Sequence, residues 1–218
     1  MIKKPFLTKA VMFDFDGTLT VPGAIDFVAI KKAMGCPIDT PILEYIAALP
    51  DPDQRKKADT VLNEFEIKAA RRSMPNAGAE SLLKHLRGLG IPTGLISRNS
   101  LDSIKISLDN FQNTTLGDFA IVITRDDPVA PKPSPDSILM AAEKLGIMAD
   151  QVIVVGDYIF DMQAGRQAGA VTVLLETDPP LDMPDVESDF TVAGLDDVWD
   201  IIHLGLPLPQ GKLPNGLL

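Results

Sequence analysis

Four stretches of the chain put chemically useful side chains where an apolar run stops. Asp14 and Asp16 stand two residues apart as Ala10-Val11-Met12-Phe13 gives way to Gly17, and Thr18 follows at once. Ser97 ends the run Thr93-Gly94-Leu95-Ile96 and is followed by Arg98 and Asn99. Lys132 lies between Pro131 and Pro133, and Asp157 follows Gly156 at the end of Val152-Ile153-Val154-Val155, with Asp161 four residues on. A carboxylate ending a buried strand is costly unless it is paired or bound to a cation, and hard oxygen ligands suit Mg²⁺. Two carboxylates, a hydroxyl and a lysine in such positions make a set for acid–base and nucleophilic work beside a cation. Each also has a plainer reading. Asp-x-Asp-Gly alone could be a polar turn, Ser97 could cap a helix, and Asp161 could do the same. Ser100 is the better cap, because Asp102 falls in the turn that follows it. Lys132 has its backbone stiffened on both sides, which an exposed lysine does not require.

The elements that must position these residues can be read from periodicity. Ala10 to Phe13 fits a strand buried on both faces, ended by the turn at Gly17. Further strands are predicted over Ile91–Ile96, Phe119–Thr124, Gln151–Val155 and Val171–Leu175, and around Phe190–Val192. Helices are predicted over Ala79–Leu89 (Leu82, Leu83, Leu86 and Leu89 inward), Leu101–Leu108, Pro135–Leu145, Asp161–Ala168 and Leu195–His203. Strands alternating with helices imply an α/β fold, a parallel sheet with helices on both faces. Ligands then bind beyond the carboxyl ends of the strands, where Asp14, Ser97 and Asp157 fall. Residues 21–74 contain no strand-like run. They predict a helix over Ala24–Met34, one capped by Thr40 with Pro41 at its first position, and a long one over Asp53–Ser73. The long helix has Ala58, Val61, Leu62, Phe65 and Ala69 on one face, and Arg55, Lys56, Lys57, Glu64, Glu66 and Lys68 read as solvated. Residues 204–218 form a tail rich in proline and glycine.

The 218 residues suggest one domain with an insertion, and 45% hydrophobic content allows a sizeable core. A net charge of −10 argues against a nucleic-acid partner. Cys36 is the single cysteine, so no internal disulfide forms, and a reducing cytoplasm is the expected location. Asp14 cuts short the apolar stretch behind Lys3 and Lys4, so no signal peptide is expected, and no run nears the roughly 18 apolar residues of a membrane helix.

The four motifs, in this order and over nearly the whole chain to His203, resemble those of the haloacid dehalogenase (HAD) superfamily. The resemblance is to the phosphatase branch that includes phosphoglycolate phosphatases and β-phosphoglucomutases. It implies a Rossmann-like HAD core from residues 1–20 and 75–203 and a small all-helical cap over 21–74, joined through hinges near Thr20–Gly23 and Ser73–Asn76. It further implies Mg²⁺-dependent hydrolysis of a small phosphorylated metabolite by a monomer or homodimer, with no membrane. Asp14 would be the nucleophile that forms an aspartyl-phosphate. Asp16 would protonate the leaving oxygen and then deprotonate water. Thr18, Ser97, Arg98 and Lys132 would hold the phosphoryl group. Mg²⁺ would be bound by Asp14, the backbone carbonyl of Asp16, Asp157 and waters, with Asp161 acting directly or through water. Two alternatives stay open: a phosphomutase acting on a sugar phosphate, and a catalytically silent binding module on the same fold. A dehalogenase does not fit, because relatives with that activity lack the second carboxylate that stands here as Asp16.

Overall fold

A computed structural model describes residues 6–176 and 186–204. The run Ala10–Phe13 forms β1, with all four residues buried. Beside it lie β2 (Thr93–Ile96) and β4 (Val152–Gly156); β3 (Ile121–Ile123), β5 (Val171–Leu175) and β6 (Phe190–Val192) extend the sheet outward. The order is β3-β2-β1-β4-β5-β6, and every pairing is parallel. β1 therefore sits near the middle, and the chain leaves it in one direction for β2 and β3 and later returns to its other side with β4. That is the switch point at which open α/β sheets bind ligands.

Two-residue alternation divides the core between the faces. Val11 and Phe13 pack with α4 (Ala79–Gly88), α5 (Leu101–Leu108) and α8 (Leu195–Leu204), through Leu82, Leu86, Ile104 and Ile202 among others. Ala10 and Met12 pack on the opposite face with Ile138 and Ala141 of α6 (Asp136–Leu145) and Ala164 of α7 (Ile159–Ala168). The α/β expectation holds, with β2 and β3 shorter than expected by up to two residues at an end and β4 shifted by one. Leu89 was expected to face inward but, as the residue that ends α4, is 55% exposed. The expected tail, apart from Leu204, lies outside the described residues. No described helix is long and apolar enough to cross a membrane.

Between β1 and α4 come α1 (Phe27–Met34), α2 (Ile42–Ala48) and α3 (Pro52–Ala70). Asp26 caps α1 through the Ala29 N–H at 2.9 Å, and Gly35 closes it with a left-handed φ of 73°. Pro41, not Thr40, occupies the cap position of α2. The three helices share an apolar cluster of Ile30, Ile42, Ile46, Ala58 and Leu62. The two connections to the core are hydrogen-bonded to each other: Val21 N–H donates to the Met74 carbonyl at 2.9 Å and Asn76 N–H to that of Leu19 at 2.8 Å. α3 also lies along α5. Ser73 and Ser107 share a hydrogen bond, and Asn110 Nδ2 donates to the Ala70 carbonyl at 2.9 Å. Glu66, expected on the solvated face of α3, is 2% exposed because α5 and Arg125 cover it.

Candidate active site

β1 ends by handing Asp14 to the loop: its N–H still donates to the Val155 carbonyl at 2.9 Å, so Asp14 leaves the sheet with its backbone held by β4. Lys132 reaches the same point from the loop before α6. Its ammonium donates to Asp14 Oδ1 and Asp161 Oδ1, both at 2.5 Å, and to the Ile96 carbonyl at 2.8 Å. All three donors are thus used by a side chain that is 3% exposed. Burial disfavours its charge, but Asp14 and Asp161 more than compensate and raise its pKa, so it stays protonated.

Asp157 enters from the end of β4 and is 7% exposed, without a side-chain hydrogen-bond partner among the described residues. Two glycines make room for this cluster. Gly17 has φ +82°, and a Cβ on it would lie 2.0 Å from Asp157 Oδ2. A Cβ on Gly156 would lie 2.3 Å from Asp161 Cγ. Asp161 is the third residue of α7 rather than its cap. Its Oδ2 nevertheless accepts the Tyr158 N–H at 3.3 Å while Oδ1 takes Lys132, so the capping role and the site role coexist.

One lysine faces four carboxylates, and the proton affinities of Asp14, Asp16 and Asp157 reflect the crowding. Burial, opposed by the Lys132 ammonium and aided by the charge of Asp161, pushes Asp14 up to about 6. Burial and the charges of Asp14 and Glu66 push Asp16 up to about 7. Burial and the charges of Asp14 and Asp161 push Asp157 up to about 8. Carboxyl oxygens of Asp14, Asp157 and Asp161 lie within 4.8 Å of one another. A small, hard divalent cation fits this donor set: all ligands are oxygens, and negative charge exceeds positive.

The other expected residues are distributed around this centre. Ser97 follows β2, is 6% exposed, and its Oγ accepts the Asn99 N–H at 3.1 Å. Thr18 is fully buried, and its Oγ1 has no hydrogen-bond partner among the described residues. Arg98 points its fork at Glu44 of α2, with Nη1 to Oε1 at 3.0 Å and Nη2 to Oε2 at 2.6 Å. It also donates to the Lys132 carbonyl and stacks over Phe160, 4.9 Å from the ring centre. Glu44, Asn99, Glu66 and Arg125 carried no site role in the sequence reading. Asn99 Nδ2 donates to Asp16 Oδ2. The one available signal was the neighbourhood of Asn99, two residues after Ser97. The others pair far along the chain, Glu44 with Arg98 across 54 residues and Glu66 with Arg125 across 59.

The haloacid dehalogenase-like hydrolase family matches residues 8–169. An uncharacterized hydrolase of Saccharomyces cerevisiae is 36% identical over 171 residues, covering 77% of this chain and 77% of that protein. An N-acetylmuramic acid 6-phosphate phosphatase of Pseudomonas aeruginosa is 27% identical over 184 residues, covering 75% of this chain and 80% of its own. The solved structure of a hydrolase from Pseudomonas syringae superposes with a TM-score of 0.72 at 22% identity, over 90% of this chain and 98% of that one.

Proposed function

The chain belongs to the haloacid dehalogenase-like hydrolase family, and from that membership we propose that it hydrolyses a small phosphomonoester through a phosphoryl group carried on Asp14. The observation that carries this reading is the Lys132 ammonium held at 2.5 Å from both Asp14 and Asp161 at the carboxyl end of β1. Such a lysine keeps an attacking carboxylate ionised and offsets charge on a phosphoryl group.

In the proposed sequence an Asp14 oxygen attacks phosphorus and the bond to the leaving oxygen breaks. Asp16 gives that oxygen its proton. Water then attacks the phosphoryl group. Asp16 takes the water's proton, the bond to Asp14 breaks, and inorganic phosphate leaves with Asp14 restored. Asp16 suits both halves because its raised pKa lets it exist in either protonation state near neutral pH. Ser97, at the end of the neighbouring strand, and Lys132 would bind phosphoryl oxygens. Thr18, enclosed beneath the loop, would support that loop, and Arg98 would contribute a cation at the rim. Mg²⁺ is the proposed cofactor, held by Asp14, the Asp16 carbonyl and Asp157, with Asp161 beside it; when bound it supplies positive charge that offsets the carboxylates and the phosphoryl oxygens. Residues 21–74 are proposed to act as a cap that limits the substrate to a small metabolite. The name of the Pseudomonas aeruginosa relative, which specifies a phosphorylated small molecule, supports that class.

Release of inorganic phosphate from a panel of phosphorylated metabolites and aryl phosphates, in Mg²⁺ and in excess chelator, tests the reading. Turnover that needs Mg²⁺, and an Asp157→Ala variant that needs more of it, are expected. Full activity in chelator would overturn the cofactor assignment, and no phosphate release from any ester would overturn the reaction.

A further inference from the structure

Glu66 is a carboxylate on a helix of the insert, yet it is 2% exposed. The reaction proposed above makes no use of it. Its bonds lead to the segment after β2 and to Arg125, just beyond β3. Glu66 Oε2 accepts both the N–H and the Oγ–H of Ser100, each at 3.1 Å. Glu66 Oε1 pairs with the Arg125 guanidinium. Arg125, in turn, donates its backbone N–H to the Asn99 carbonyl at 3.1 Å. The N–H of Asn99 is taken by Ser97 Oγ at 3.1 Å. Asn99 is therefore fixed from both sides, by Ser97 before it and by the Glu66–Arg125 pair acting on Ser100 and on its own carbonyl. With its backbone fixed in this way, its side-chain Nδ2 donates to Asp16 Oδ2.

That bond has a chemical consequence. An amide N–H on Oδ2 occupies one carboxyl oxygen of Asp16 as an acceptor and leaves Oδ1 to carry the proton. It also sets the plane of the carboxyl group, which proton transfer to a leaving oxygen needs at hydrogen-bond reach. We propose that Glu66 and Asn99 are positioning residues for the leaving-group acid, so that a helix of the insert helps aim Asp16. The proposal rests on the hydrolytic reading given above. The simpler role for Glu66, holding α3 against α5, makes a different prediction: it would affect every substrate alike.

Substrates with different leaving groups separate the two. 4-Nitrophenyl phosphate leaves with little need of a proton, phenyl phosphate needs one more, and glycerol phosphate needs one most. Since kcat/KM covers the chemistry through departure of the alcohol, it reads that need directly. For Asn99→Ala and Glu66→Ala we expect kcat/KM to fall no more than about threefold on 4-nitrophenyl phosphate and at least about tenfold on glycerol phosphate. Glu66→Gln, which keeps an acceptor for Ser100, should recover part of the loss. Asn110→Ala removes another bond between α3 and the core, the one to the Ala70 carbonyl, and should leave the leaving-group dependence unchanged. If Glu66→Ala does not fold, Asn99→Ala carries the test, since its side chain bonds only Asp16 among the described residues. Equal losses across the three esters, with wild-type turnover intact, would overturn the positioning role and leave the hydrolytic reading standing. A wild type inactive on every ester would overturn both.

Discussion

Asp14 and Asp16 are the same side chain two residues apart, and their neighbours give them different proposed tasks. Asp14 touches an ammonium, which favours its carboxylate; Asp16 touches an amide and feels two negative charges, which favour its acid form. Asp14→Asn keeps the shape and removes the nucleophile. We expect its turnover to fall at least about 10³-fold with an unchanged circular dichroism spectrum, because residues that act as a unit fail together. More than a few per cent of residual turnover would move the nucleophile elsewhere. Residues such as Asp14, Ser97 and Asp157 were legible because each interrupts an apolar run at a strand end, where a polar group needs a reason. Glu66 was not. A charged residue on an amphipathic helix reads as solvated, and its burial comes from Arg125, 59 residues further along. Glu44 was hidden in the same way, and so was its pairing with Arg98, which spans 54 residues.

At the scale of elements, the ends of β1 and β4 approach so closely that only glycine fits at two places. Gly156→Ala would put a methyl group into Asp161, and Gly17→Ala would put one into Asp157 while also straining a positive φ. We expect both variants to bind Mg²⁺ more weakly, with Gly17→Ala the less stable of the two in thermal unfolding. Unaltered Mg²⁺ dependence in both would mean that the carboxylate cluster is not the cation site. The same close view shows why the insert was only partly legible. Its helices could be read from periodicity, with ends displaced by up to three residues. Its docking could not, because the bonds from Glu66, Ser73 and Ala70 to Ser100, Ser107 and Asn110 belong to tertiary structure alone. Replacing residues 21–74 by a short Gly-Ser linker would remove Glu66 and Ser73, partners of Ser103 and Ser107 of α5. Such a chain is expected to melt at a lower temperature than the intact one, and an equal Tm would show that α3 adds nothing to the core.

For the whole molecule, the net charge is −10, and part of it stands where it is most costly, with four carboxylates crowding one buried lysine. Asp14, Asp16 and Asp157 all have folded-state values above their ordinary 3.8. The native chain therefore holds protons that the unfolded chain has already released. Stability from these groups is complete below their ordinary range and is lost as pH rises through about 6, about 7 and about 8 in turn. Lys132 adds no slope there, because its raised value keeps it charged in both states until its ordinary 10.5 is approached. In chelator, Tm should fall from about pH 5 to about pH 8, and added Mg²⁺ should raise Tm more at the higher pH. A Tm that is flat with pH, with or without Mg²⁺, would contradict this electrostatic picture. The central claim, a phosphoryl group carried on Asp14, has a more direct test. The enzyme is mixed with an aryl phosphate and Mg²⁺, quenched in acid during turnover, digested, and the peptide containing Asp14 is weighed by mass spectrometry. The expected result is one added phosphoryl group on Asp14 in the wild type and none in Asp14→Asn. Turnover with that peptide unmodified at every quench time, or the phosphoryl group found on another residue, would contradict it.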